Sequence, residues 1–71
     1  MTRDVMSLKR GEHVMVHESK HVTRHAVFAG VVGGRIVVDN SLSLLDYPLD
    51  TEYPQVKDMS GRIIRNTEVK S

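Results

Sequence analysis

All four histidines of this chain fall at intervals of four, at His13, His17, His21 and His25. Neutral imidazole is the commonest protein ligand for zinc, copper and nickel, and even spacing keeps such rings on one helix side or one strand face. The four therefore form a candidate metal site, provided that residues 18–20 let the two halves of the stripe meet. A zinc hydrolase is not indicated, because HExxH is absent and Glu12 merely precedes His13. The plain alternative is four solvent-facing histidines.

A second group of reactive types lies in the stretch DYPLDTEYP, which holds both tyrosines and both prolines and repeats an acid-Tyr-Pro theme. Proline fixes φ and withdraws a donor, so this stretch reads as a stiff loop or an edge strand. Tyrosine is a frequent interface anchor, large and rigid with a polar tip. Tyr47 and Tyr53, with Asp46, Asp50 and Glu52 around them, are the candidate contacts to a protein partner carrying a basic patch. The competing structural role is closure of one end of a small barrel.

The net charge of +1 hides a polarised layout. Residues 1–35 hold six Lys/Arg against three acids, and residues 36–61 hold Lys57 alone against five. Lys9, Arg10, Lys20, Arg24 and Arg35 are thus candidate contacts to an RNA or DNA backbone. The basic third contains only Phe28 for base stacking, which favours a protein partner over nucleic acid. Gly30, Gly33 and Gly34 lead into no helix, so they form no phosphate-binding loop.

Residues 10–16 (RGEHVMV) with 24–30 (RHAVFAG) resemble in part the strand and histidine box of lecithin:retinol acyltransferase-like enzymes. That resemblance implies His25 as the base that activates a downstream cysteine. The chain has no cysteine, so the chemistry lacks its nucleophile and no catalytic residue is assigned.

The elements that must position these groups are strands. Two runs rich in β-branched residues flank Gly33-Gly34, and paired glycines supply the positive φ of a two-residue hairpin turn. That turn sets Val32 opposite Arg35, Val31 opposite Ile36, Gly30 opposite Val37 and Ala29 opposite Val38. Both faces of the ribbon then read as apolar. Phe28, Val32 and Val37 on one of them are candidates for self-association, since burying each is worth about 1.5–3 kcal/mol. Residues 12–18 alternate as a strand, residues 40–51 are ambiguous, and residues 53–57 and 62–69 read as strands around a turn at 58–61. Residues 1–10 read as a short helical turn or a loose arm.

The expectation is one all-β domain over residues 1–71, a partly open barrel of about five antiparallel strands, SH3-like in size. A chain this short buries only about 60% of its unfolded surface. No run nears the about 20 apolar residues of a membrane span, and the N-terminus lacks the apolar core of a secretion signal. A cytoplasmic, non-catalytic binding or regulatory module follows, homo-oligomeric or bound to a protein partner, with no cofactor. Nucleic-acid binding and histidine-mediated metal binding are the alternatives. An accessory role in a phage or mobile element suits so small a chain.

Overall fold

The computed structural model describes residues 1–66. Seven strands occur among them: β1 (Thr2–Asp4), β2 (His13–Ser19), β3 (Val22–Val32), β4 (Arg35–Asp39), β5 (Leu44–Tyr47), β6 (Gln55–Asp58) and β7 (Ile63–Arg65). They form one sheet in the order β1-β7-β6-β2-β3-β4-β5. All pairings are antiparallel except β1 with β7. The all-β expectation holds, but the five-stranded barrel does not. The sheet is open, mixed and seven-stranded, with β1 and β5 at its edges.

The extra strands come from segments whose local patterns are weak. The expected N-terminal arm is β1 followed by a 3-10 turn, Val5–Ser7, in which the Asp4 carboxylate accepts from the Met6 N–H. Val5 and Leu8 are buried in the core, so this segment is packed down. The ambiguous stretch after Asn40 resolves as β5, because the Asn40 side chain accepts from the N–H groups of Leu42 and Ser43 and turns the chain back. The last two expected strands are shorter than read: β6 starts at Gln55 and β7 spans three residues, while residues 67–69 lie outside the described part.

The hairpin at Gly33-Gly34 forms as its sequence demands, with φ of +58° and +78°. Three expected pairs are present, Val32 with Arg35, Val31 with Ile36 and Gly30 with Val37. The fourth is corrected. A bulge leaves Ala29 without a cross-strand partner, and Phe28, not Ala29, lies opposite Val38. One extra residue switches every side chain beyond it to the other face. Ala26 and Phe28 consequently join Ile36 and Val38 in the core, while Val27, Val32 and Val37 stay on the outer face.

That core gathers eleven apolar side chains, among them Val14 and Val16 from β2, Val56 from β6 and Ile64 from β7. Asp58 is the one buried charge among the described residues. Its Oδ1 accepts from the N–H groups of Ser60 (3.0 Å) and Arg62 (2.8 Å), and its Oδ2 from Arg62 Nε (3.0 Å) and Arg3 Nη1 (3.2 Å). Arg3 also grips Glu12 at 2.5 Å. This network clamps β1 and the entry to β2 onto the β6–β7 turn.

Candidate binding surface

Residues paired across neighbouring strands share a face, so the register lays out the outer side of the sheet. One row runs His13, Val27, Asp39, Leu44 across β2 to β5. The next, toward the glycine turn, runs Gly30, Val37, Asp46. Between them lies a groove of about 370 Å³ lined by Val27, Ala29, Gly30, Val32, Val37 and Leu44, with Arg10 and Asp39 supplying its charge. Leu44 and Val32 are 64% and 69% exposed, and Leu42, in the turn that precedes β5, is 91% exposed. A second depression of about 380 Å³, lined by His25, Asn40 and Ser41, shares Val27 and Asp39 with it.

The groove borders β5, an edge of the sheet. An edge strand presents unpaired backbone N–H and C=O groups, which template pairing with another chain. The three residues read as self-associating, Phe28, Val32 and Val37, all line this groove, but Phe28 is only 7% exposed and its side chain packs in the core. Leu44, which also lines the groove, comes from the stretch 40–51 that the sequence leaves ambiguous. The alternation Ser41-Leu42-Ser43-Leu44 is the local signal for an exposed apolar side chain there.

The acid-tyrosine loop is divided by the structure. The Tyr47 hydroxyl donates to Glu18 Oε2 at 2.7 Å, and Arg24 Nε holds the other oxygen of Glu18 at 2.8 Å. Burial, then the hydrogen bond to Glu18, pushes the Tyr47 hydroxyl up to about 12. The Arg24 contact, followed by the Tyr47 one, holds the Glu18 carboxyl below its ordinary range. Tyr47 thus fastens one end of the fold. Tyr53 is 44% exposed, Asp50 and Glu52 are exposed, and Asp46 is paired with Arg35 Nε at 2.7 Å.

The five candidate cations are likewise split. Arg24 and Arg35 are neutralised by Glu18 and Asp46, while the side chains of Lys9, Arg10 and Lys20 are exposed. The histidines do not converge as a group of four. His13 and His25 meet, with rings parallel within 11°, centroids 4.8 Å apart, and Nδ1 of His13 at 2.8 Å from Nε2 of His25. His17 Nδ1 lies 3.0 Å from Thr23 Oγ1, and His21 sits in the turn between β2 and β3. Among the described residues no group of three His, Asp or Glu could hold a metal ion. Nor is any helix among them long and apolar enough to cross a membrane.

No protein-family model matches the chain, and neither a curated protein nor a solved structure matches it.

Proposed function

We propose that this protein is a non-catalytic binding module that takes an extended segment of a protein partner along β5, with the partner's apolar side chains seated in the adjoining groove. The observation that carries this reading is the coincidence of an open sheet edge with the apolar lining of Val32, Val37 and Leu44. Strand addition draws affinity from main-chain hydrogen bonds and specificity from pockets for alternate side chains. The groove supplies such pockets on the outer face, and Arg10 and Asp39 allow it to select a segment by charge. The tyrosine loop contributes through Tyr53, Asp50 and Glu52, since Tyr47 and Asp46 are already engaged within the fold.

Panning the full chain against a library of extended peptides, with nuclease present, tests the reading. Peptides of alternating apolar and polar residues are expected to bind, and Leu44→Lys or Val32→Lys should abolish their capture while leaving the melting temperature within a few degrees. Capture unaffected by both variants overturns it. Binding that vanishes with nuclease and falls steeply with salt would instead place the activity in the cations Lys9, Arg10 and Lys20.

A further inference from the structure

We propose that His13, His25 and Met15 form a binding site for a soft monovalent metal ion of the Cu(I) kind, on the outer face of β2 and β3. The inference is independent of the partner groove and rests on where the register puts three donor atoms. His13 and Met15 are two residues apart on β2 and so share a face, and Met15 lies directly opposite His25 on β3. Directly opposed side chains have Cβ atoms about 4.5–5.5 Å apart, within reach of a flexible thioether.

The two imidazoles already aim facing nitrogens at one point, 2.8 Å apart and sharing one proton. If that proton moves to the other nitrogen of its ring, both facing nitrogens present lone pairs to the same position. Metal–imidazole bonds of about 2 Å each then require the rings to part slightly. Both rings are exposed on the sheet surface, so side-chain rotation accomplishes this without moving the strands.

Ligand type decides the ion. Two imidazoles and a thioether form a soft set, which selects Cu(I) over magnesium, calcium or manganese. Zinc draws its ligands from Cys, His, Asp and Glu, and no third such group is gathered among the described residues. The register brings charges of the adjoining strands to this face at Lys57, opposite Met15 on β6, and Asp39, opposite Val27 on β4. These two are of opposite sign and offset each other at a monovalent cation.

Calorimetric titration of the full chain with Ag(I), a redox-inert stand-in, is the test, repeated with Cu(I) kept reduced by ascorbate. One ion per chain is expected, with the ring signals of His13 and His25 shifting in NMR spectra and those of His17 and His21 unmoved. His13→Gln and His25→Gln should each weaken binding by at least the tenfold or so that even outer-shell losses cost. Met15→Leu should weaken it as well, while His17→Gln and His21→Gln leave it unchanged. Absence of binding, binding that survives loss of either His13 or His25, or indifference to Met15→Leu overturns the site. Should a variant fail to fold, the ring shifts of the unmodified protein still decide.

Discussion

Asp58 shows how one residue can hold a fold this small together. Burial by itself would push its carboxyl up. The Arg62 N–H, the Arg3 guanidinium, the charge of Arg62 and the Ser60 N–H outweigh that cost and hold the group below its ordinary range. A carboxyl whose pKa is lower folded than unfolded stabilises the fold above its unfolded value, and that contribution is lost as pH falls through the folded one. The protein should therefore lose stability in acid, starting below about pH 4. Urea midpoints between neutral and strongly acidic pH are the measurement. Asp58→Asn should cost about 2–3 kcal/mol at neutral pH and flatten the acid limb. The limb should shrink without vanishing, because Glu12 and Glu18 are also held low by Arg3 and Arg24 respectively.

At the scale of elements, the β3–β4 ribbon contains both the most legible and the least legible feature of the chain. The turn is legible because a left-handed backbone is a local demand that glycine meets at no steric cost. Gly33 and Gly34 both occupy it, and a Cβ added to either would meet no atom within 4 Å. Any penalty for substitution is thus conformational. Gly34→Val should cost about 1–2 kcal/mol, the price of a left-handed L-residue. Asn tolerates that region, so Gly33→Asn should be close to neutral. Thermal melts separate the two, since each kcal/mol moves the midpoint of a domain this size by about 4–8 °C. The bulge at Ala29 had no such signature. Ala29 and Gly30 are compatible with regular pairing, and the extra residue is absorbed only because Phe28 and Ala26 gain the core by it.

Across the whole molecule, side-chain contacts join segments of the sheet that are distant in the chain. Tyr47 at the β5 edge reaches Glu18 near the end of β2, and Arg3 at the other edge reaches Asp58 at the end of β6. The first clasp has a pH signature of its own. A tyrosine that ionises near 12 in the fold and near 10 when unfolded stabilises the protein below about pH 10, and that contribution drains away between the two values. Alkaline titration followed by phenolate absorbance should show a late step that disappears in Tyr47→Phe. The same variant should lower stability by about 1 kcal/mol, since it removes one hydrogen bond to a charged acceptor that Arg24 still holds. A Tyr47→Phe melting curve identical to that of the unmodified protein at neutral pH would show the clasp to be dispensable.

The sequence by itself determined the all-β class, the glycine turn, three pairs of the β3–β4 register and the turn at 58–61, because each follows from backbone preference or alternation over a few residues. It also placed His13, Met15 and His17 on one strand face. Only the tertiary structure decided that β1 runs parallel beside β7, that the sheet stays open, and that His13 meets His25 rather than His17. It decided too that Tyr47 and Arg24 are engaged with Glu18 instead of facing a partner. Each of those outcomes depends on which distant segment offers a charge, an edge or a buried face. Such choices are settled by competition among long-range contacts, and no local stretch of the chain encodes them.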